Sequence, residues 1–169
     1  MLKKVSFILL IYLFVQSCDT NYVFDTYETV EKSWGHDKAI QFNFTAPDSI
    51  NNYALFINLR NNKDYRYNNL FLIAELSYPN GKTLIDTLEY QMAKPNGEFL
   101  GTGFSDLKEN KLWYKGFNEP FVFEELGDYQ LKLKHAMRKN GEVEGLKQLE
   151  GITDIGFRIE ALNTYNNGN

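Results

Sequence analysis

Apolar and polar residues alternate one by one through most of this chain, and this pattern constrains the fold more than any other feature of the sequence. Ile40, Phe42 and Phe44 alternate with polar residues, and the same spacing recurs further along. Because the side chains of a β-strand point alternately to opposite faces, a period of two indicates strands with one buried face. After residue 18 no helical period extends over ten residues, although single turns are predicted near 106–110. The predicted strands are 22–27, 40–44, 53–59, 70–76, 84–90, 112–114, 121–123, 129–137, 142–149 and 152–161.

An Asn-Gly pair predicts the first specific strand pairing. It occupies positions 80–81, between the strands predicted at 70–76 and 84–90. Tight hairpin turns need residues with positive φ, and Asn-Gly supplies them, so these two strands should pair antiparallel. The 70–76 strand is apolar on both faces, because Phe71 and Ile73 stand between its alternating apolar residues. We therefore predict that it lies at the centre of its sheet.

Further turn and packing signals complete the predicted fold. A second Asn-Gly pair, at 140–141, predicts a hairpin from the strand of Tyr129 into residues 142–149. A Gly-Asp pair precedes Tyr129, which resembles the tyrosine corner of immunoglobulin-like sandwiches, whose phenol bonds to the backbone upstream. Residues 28–38 predict a loop with one buried aromatic side chain, Trp34. Since short strands alternate with turn signals, we predict an all-β fold: a single-domain antiparallel β-sandwich, jelly-roll-like in form.

The first residues predict an exported lipoprotein precursor. Lys3 and Lys4 precede an uncharged, largely apolar run over 5–15, and Cys18 follows a Val-x-Ser ending. This order is that of a signal peptide with a lipobox, and the apolar run is shorter than the roughly 20 residues that cross a bilayer. We expect residues 1–17 to form a cleaved signal helix, and Cys18 to become the lipid-bearing first residue of the mature protein.

Two observations bear on this lipidation. Gln16 stands where a lipobox usually has a small residue, so a plain secretory signal with an unused thiol is the alternative. Cys18 is the only cysteine, however, and lipidation is the more economical use of a thiol without a disulfide partner in its own chain. A mature lipoprotein cysteine carries several acyl chains, which anchor it to the membrane almost permanently. The predicted organisation is a tether over 18–21, the β-sandwich domain over 22–162 and a flexible tail over 163–169.

Charge and motifs exclude several classes of function. Removing residues 1–17 takes away two lysines and no acids, so the net charge changes from −4 to −6. Nucleic acids attract clusters of Lys and Arg, so we expect no nucleic-acid partner. His36 and His135 are the only histidines and lie far apart in the sequence, so we predict no metal site and no cofactor, with His135 half-buried in a strand.

The sequence also lacks the motifs of common enzymes, and we predict no catalytic residues. No phosphate loop, dinucleotide fingerprint or nucleophile elbow occurs. A hydrolase with two carboxylates stays open, because such a pair meets in space rather than in sequence. The candidate carboxylates are Asp86, Glu89, Glu124 and Glu125.

Two segments have the composition of a binding surface. Residues 60–69 (RNNKDYRYNN) combine arginines and tyrosines with amides, and residues 104–117 (FSDLKENKLWYKGF) place two aromatic residues among charges. Tyrosine, tryptophan and arginine are enriched at protein interfaces, but the same aromatic rings can stack on sugars. A third interpretation is that Trp113 and Tyr114 fill the edge of the core. The candidate contact residues are Arg60, Tyr65, Arg66, Tyr67, Trp113 and Tyr114.

The same segments make the chain resemble the gliding motility lipoproteins of the GldH type from Bacteroidota. The resemblance implies a role in the gliding apparatus of the cell envelope, which works with the type IX secretion system. It also implies gliding or secretion proteins of the envelope as partners, and it favours the outer membrane. The resemblance implies no catalytic residue. The only functional residue that it implies is the lipidated cysteine, which corresponds to Cys18. The matching stretches are 55–73, 79–93, 101–117, 135–145 and 151–160, which with the lipobox span almost the whole mature chain.

Overall fold

The computed structural model describes residues 22–103 and 105–162, and within them it contains ten strands and no helix. The predicted signal helix, lipidated cysteine and tether in residues 1–21 and the predicted tail in 163–169 lie outside the described residues. A helix long and apolar enough to cross a membrane is absent from the described part of the chain. The strands are β1 (Tyr22–Thr29), β2 (Ser33–Gly35), β3 (Ile40–Thr45), β4 (Asn52–Asn61), β5 (Asn69–Ser77), β6 (Thr83–Gln91), β7 (Lys108–Lys115), β8 (Asp128–His135), β9 (Gln148–Glu150) and β10 (Ile152–Leu162).

Two four-stranded sheets and a two-stranded ribbon make up the domain, and all of their pairings are antiparallel. The front sheet has the order β1-β10-β4-β7, the back sheet has the order β3-β8-β5-β6, and β2 and β9 form the ribbon. Rings from both sheets meet in the space between them, where the ring centroids of Phe44 and Phe157 are 5.1 Å apart. The predicted antiparallel β-sandwich is therefore confirmed.

The core between the sheets is filled by alternate residues of each strand, as the period of two requires. On β4, Leu55, Ile57 and Leu59 are completely buried, and β5 has the same pattern from 70 to 76. Burying one side chain of this size stabilises the fold by about 1.5–3 kcal/mol. Burial of these alternating apolar side chains is therefore the main source of the stability of the sandwich.

The hairpin predicted from the Asn-Gly pair at 80–81 is confirmed. β5 pairs with β6 along the whole length of both strands, and Gly81 has a φ of 85°. β5 lies between β6 and β8, so its predicted central position is confirmed as well. Because the sandwich has only two layers, however, one face of β5 points away from the core. Phe71 and Ile73 lie on that outer face and are half-buried.

The predicted tyrosine corner is present. The hydroxyl of Tyr129 donates a hydrogen bond of 3.0 Å to the backbone oxygen of Glu125, and its ring is buried. Trp34 is buried as predicted, but it lies in β2 rather than in a loop, opposite Leu149 of β9. A strand of three residues is too short to be detected from alternation.

The strand predicted at 142–149 is wrong for the most part. The Asn-Gly turn does form, but only a single bridge, between Arg138 and Gly145, follows it before β9 begins. Residues 142–148 are exposed apart from the half-buried Leu146, so they offer the core no apolar face that would stabilise a longer pairing.

Two smaller predictions are also wrong. The strand at 121–123 is reduced to one bridge between Phe121 and Tyr53, next to Pro120, which has no N–H to donate to a ladder. The turns near 106–110 are replaced by the start of β7, because Lys108 and the residues after it pair with β4.

The strand directions define two ends of the sandwich. The proximal end is the one where β1 begins at Tyr22, and it includes the loops 46–51, 78–82 and 116–127. The distal end is opposite to it. The distal loops are 30–32, 36–39, 62–68, 92–103 with 105–107, and 136–147.

Candidate functional site

The six candidate contact residues do not form one site. Arg60 and Trp113 lie on the outer face of the front sheet, Tyr65 and Tyr114 are buried, Arg66 is exposed on a distal loop, and Tyr67 lines a cavity on the back sheet. Only Tyr67, Arg66, Trp113 and Arg60 therefore present atoms to a partner.

The two buried tyrosines hold loops and edges of the sandwich. The Tyr65 hydroxyl donates to the backbone oxygen of Asn69 at 2.6 Å, and burial raises the pKa of Tyr65. The Tyr114 hydroxyl donates to Asp86 at 3.1 Å, and burial followed by Asp86 raises the pKa of Tyr114. The interpretation that Tyr114 fills the edge of the core is confirmed. Two of the four rings that could stack on a sugar thus have no free face.

A pair of buried amides positions the two predicted binding segments. The side-chain nitrogen of Asn110 donates to the side-chain oxygen of Asn61 at 2.9 Å and to the backbone oxygen of Leu59 at 3.2 Å. Both amides are almost completely buried. A buried polar group without a partner costs about 1–3 kcal/mol, so breaking this pair would destabilise the fold. The pair therefore holds the end of β4, where the segment 60–69 begins, against β7 of the second segment.

An exposed aromatic cluster, which we call the aromatic patch, lies at the edge of the front sheet. It consists of Phe56, Trp113 and Phe117. Trp113 of β7 lies opposite Phe56 of β4, and its ring also contacts that of Phe117, just beyond the end of β7. The ring centroid of Trp113 lies 4.3 Å from that of Phe56 and 5.4 Å from that of Phe117. The Lys111 ammonium lies 4.0 Å from the centre of the Phe56 ring. Phe56 is buried beneath this cluster, whereas Trp113 and Phe117 are exposed.

Arg60 belongs to a network of hydrogen bonds on the same face. Its Nε donates to Glu109 at 3.0 Å, and the Tyr27 hydroxyl donates to the other carboxylate oxygen at 2.8 Å. Burial and then Glu109 raise the pKa of Tyr27 to about 12. Burial alone would raise the pKa of Glu109, but the bonds from Tyr27 and Arg60 outweigh it and lower that pKa. Because Arg60 and Glu109 are more than a third exposed, their ion pair stabilises the fold by about 1 kcal/mol at most.

The back sheet carries a cavity of about 580 Å³ on its outer face, which we call the back-sheet pocket. It is lined by residues of β5 and β6 and by the chain that follows β8. Phe71 anchors that last segment: its N–H contacts the Met137 sulfur at 3.1 Å, and its carbonyl accepts from Ala136 at 2.8 Å. An apolar pocket with a few convergent polar groups is the usual form of a binding site. The lining residues are Tyr67, Asn69, Phe71, Thr87, Ala136, Met137, Arg138 and Asn140.

One cation, Arg138, lines this pocket, and two lysines lie further along the outer face of the neighbouring strand β8. Within the described residues, Arg138 at the pocket and Lys132 and Lys134 on the outer face of β8 make no salt bridge. Lys134 lies opposite the apolar Ile73 of β5, whereas Lys132 lies opposite the carboxylate Glu75. Glu89 lies opposite Phe71 and accepts a hydrogen bond from Asn69, but the only charged side chain of the described residues that lines the pocket is Arg138, which favours a ligand that carries a carboxylate.

Two of the four carboxylates considered for hydrolysis, Asp86 and Glu89, are engaged in hydrogen bonds. Asp86 accepts hydrogen bonds from Tyr114 and from Lys115, and Glu89 accepts one from Asn69. Asp86 and Glu89 are three residues apart on β6, so they point to opposite faces of the sheet. This arrangement does not bring them to one cleft.

Comparison with known proteins identifies the family. The family model described as GldH lipoprotein matches residues 22–159 of this chain. The chain belongs to the GldH lipoprotein family. It is 55% identical over 154 residues to the gliding motility lipoprotein GldH homolog of Christiangramia forsetii, which covers 91% of this chain and 92% of that protein. It is 46% identical over 159 residues to the gliding motility lipoprotein GldH of Flavobacterium johnsoniae, covering 94% and 97% respectively. The family resemblance seen in the sequence is confirmed.

Likeness to solved structures is remote for this GldH-family chain. The VP2 subviral particle of infectious bursal disease virus matches with a TM-score of 0.36 and 17% sequence identity. That match covers 86% of this chain and 34% of the viral chain, and a likeness at this level carries no argument about function.

The two histidines of this GldH-family chain meet in space, which their positions in the sequence did not suggest. Their ring centroids are 5.5 Å apart, and Trp34 contacts the His135 ring from another side at 5.5 Å. His36 is exposed, but His135 is completely buried, so the prediction that His135 is half-buried is wrong. The reason is that the β2–β9 ribbon covers this end of β8. Among the described residues, no three His, Cys, Asp or Glu side chains form a group that could hold a metal ion.

Acid is expected to destabilise the domain through His135. Burial, followed by His36, lowers the pKa of His135 in the folded state. The unfolded state therefore binds a proton more readily as the pH falls below about 6.5, and stability falls by at most about 1.4 kcal/mol per pH unit. Neither ring nitrogen has a well-formed hydrogen bond within the described residues, so His135→Phe should remove this slope at little cost near neutral pH. Urea denaturation of the mature chain between about pH 5.5 and 7 measures it.

His36→Asn is the matched control for this experiment. It removes the exposed ring and leaves the burial of His135, which is the larger cause of the lowered pKa, so most of the slope should persist. Equal slopes in the wild type and in His135→Phe would show that another group causes the acid sensitivity.

Sequence reasoning missed the residues that make the back-sheet pocket. In the sequence, the apolar Phe71 indicates that β5 is the central strand of its sheet. In a two-layer sandwich, an apolar residue on the outer face of a strand also indicates a covered surface or a binding surface. Met137 and Arg138 carried no signal, since their place over β5 depends on the path of the chain after β8.

Proposed function

We propose that this protein is a lipid-anchored, non-enzymatic component of the bacterial gliding motility apparatus, which acts with the type IX secretion system by docking protein partners in the cell envelope. Membership of the GldH lipoprotein family and two relatives named as gliding motility lipoproteins support the gliding role. The lipobox that ends in Cys18 supports the lipid anchor, and we place that anchor in the outer membrane.

The back-sheet pocket is the observation that carries the docking role. It lies on the distal half of the back sheet, whereas the chain arrives from its anchor at the proximal end. Its apolar floor fits a large side chain, and Arg138 beside it fits a carboxylate. We infer a partner segment in which an aromatic or large aliphatic side chain stands next to an acidic residue.

Deleting the gene in its own organism is expected to abolish gliding on surfaces. A Tyr67→Ala, Arg138→Glu double variant should restore little gliding, because losing two central contacts of an interface weakens binding about 10- to 1000-fold. Its matched control is Lys139→Glu, an exposed cation in the same turn that does not line the pocket. Gliding, co-purification of envelope proteins and delivery of a type IX-dependent adhesin to the cell surface are measured in each strain.

Each result has a distinct meaning. Loss of gliding with normal adhesin delivery assigns the protein to movement, and loss of both assigns it to secretion. Full rescue by the double variant would reject the pocket as the docking site while leaving the gliding role in place. Normal gliding and normal delivery after deletion would contradict the proposed function itself.

A further inference from the structure

Exposed apolar side chains are concentrated at the proximal end of the sandwich. Ile50, Phe117 and Leu126, each on a proximal loop, are 84%, 71% and 65% exposed. Soluble surfaces rarely gather large apolar residues at the tips of neighbouring loops unless these contact another apolar phase. Tyr22, Val23 and Val122 add to the same end. Of the other large apolar residues that are exposed in the described part of the chain, Leu100, Leu107 and Val143 lie on distal loops, and Ile85 and Trp113 lie on the strands β6 and β7.

The three proximal loops form one continuous surface. The N–H of Ala46 in the first loop donates to the carbonyl of Gly127 in the third at 3.0 Å. Gly127 also packs against Pro79 of the second loop, where a Cβ on the glycine would lie 3.0 Å from the proline ring. Ile50, Phe117 and Leu126 therefore project from a single end face rather than from separate sides of the domain.

The position of the lipid anchor brings this face to the membrane. Tyr22 begins β1 only four residues after Cys18, and four residues span about 14 Å at most. The start of β1 is therefore held within about 14 Å of Cys18, which keeps the proximal end next to the membrane surface once the acyl chains are inserted. Trp and Tyr side chains are favoured at the membrane–water interface, and Trp, Phe and Leu side chains are typical of the buried face of segments that lie in it. Trp113 lies beside Phe117 at this edge of the domain.

We propose that the proximal end rests on the bilayer that holds the Cys18 lipid, with Ile50, Phe117 and Leu126 inserted among the headgroups. This inference rests on the lipid anchor of the proposed function, and it gives the domain a fixed orientation with the distal loops facing away from the membrane. Glu119 and Glu124 are exposed on the same end, and their charge repels anionic lipid. The surface that this end fits is therefore zwitterionic lipid.

Trp113 supplies the reporter for a test with the acylated mature protein. The protein is purified from membranes and reconstituted into phosphatidylcholine vesicles whose acyl chains carry bromine, which quenches tryptophan at close range. The signal of Trp113 is the difference between the wild type and Trp113→Phe, which leaves the buried Trp34 as background. We expect brominated lipid to remove about half or more of the Trp113 emission, as for a side chain that lies roughly 5–10 Å into the interface.

Two matched variants decide whether the loops insert. Ile50→Asp with Leu126→Asp alters exposed loop sites without touching the ring of Trp113, and it should reduce the quenching severalfold. Val143→Asp changes an equally exposed residue, 86% against 84% for Ile50, on a distal loop, and it should leave the quenching unchanged.

Flotation of the protein with the vesicles separates this inference from the proposed function. A protein that floats but shows no quenching of Trp113, or equal quenching in the Ile50 and Leu126 double variant, overturns the inference and leaves the anchor intact. Absence of flotation overturns the anchor and this inference with it. Shielding of Trp113 from iodide in native membranes, without quenching in vesicles, would assign the proximal end to a protein partner and overturn its contact with lipid.

Discussion

Replacing Gly151 with alanine is expected to destabilise the domain by about 3–5 kcal/mol. Gly151 joins β9 to β10 with a φ of 83°, which disfavours any residue with a Cβ. Its carbonyl accepts the N–H of Asn62 at 2.8 Å, so the distal loop 62–68 lies directly against it. A Cβ at this position would overlap the backbone nitrogen of Tyr65 and lie 2.5 Å from its Cα. Because these are backbone atoms of a buried residue, the clash cannot be relieved by rotating a side chain.

Gly81→Ala is the matched control for this prediction. Gly81 has nearly the same φ, 85°, but no atom lies within 4 Å of the position of its Cβ. Gly81→Ala should therefore lower the free energy of unfolding only by the cost of a positive φ in a residue with a Cβ, about 1–2 kcal/mol. Urea denaturation of both variants gives the difference directly, and Gly151→Ala should also lower the melting temperature by roughly 10 °C. Equal losses in the two variants would show that the loop carrying Tyr65 moves aside, and that this part of the distal end is not rigid.

Replacing Cys18 with alanine is expected to abolish gliding as completely as deletion of the gene. Cys18 is the only cysteine of the chain, so no other thiol could take the predicted thioether-linked lipid, and each buried methylene of that lipid contributes about 0.8 kcal/mol to membrane binding. Without it, the domain should leave the membrane fraction but keep its fold, since Cys18 precedes β1. Incorporation of labelled fatty acid, membrane fractionation and surface gliding measure the three consequences.

Ser17→Ala provides the control, because it keeps a small residue before the cysteine and should retain lipidation, membrane binding and gliding. A Cys18→Ala strain that glides normally with an unlipidated protein would show that the anchor is dispensable and that partner contacts alone retain the domain in the envelope.

Most of the sandwich could be predicted because its signals are local. Alternation at Ile40, Phe42 and Phe44 marks β3 whatever lies next to it, and the Asn-Gly pair at 80–81 specifies a hairpin from the conformations those two residues allow. Strand predictions failed where the formation of a strand depends on contacts with residues that are distant in the sequence. Residues 142–145 are exposed and form no strand, whereas Leu149 at the end of the same segment is buried opposite Trp34, where the three-residue strands β2 and β9 pair.

Which of the candidate contact residues reach the surface could be predicted less well than the strands, for the same reason. Residues 60–69 and 104–117 have an unusual composition, but composition does not say which rings face the core. Tyr65 and Tyr67 are two residues apart, yet one is buried and bonded to Asn69 while the other lines the back-sheet pocket. Their difference is decided by the packing of the distal loops.

The sequence by itself determined most of the longer strands, the sandwich class, the tyrosine corner at Tyr129 and the family, because periodicity, turn chemistry and motifs are properties of neighbouring residues. Only the tertiary structure decided which face of β5 becomes the pocket over Phe71, and that His36 lies against His135. It also decided that Ile50, Phe117 and Leu126 project from one end beside Tyr22. These features depend on the register of strands that are distant in sequence, and register is fixed by the burial of the whole core rather than by any one segment.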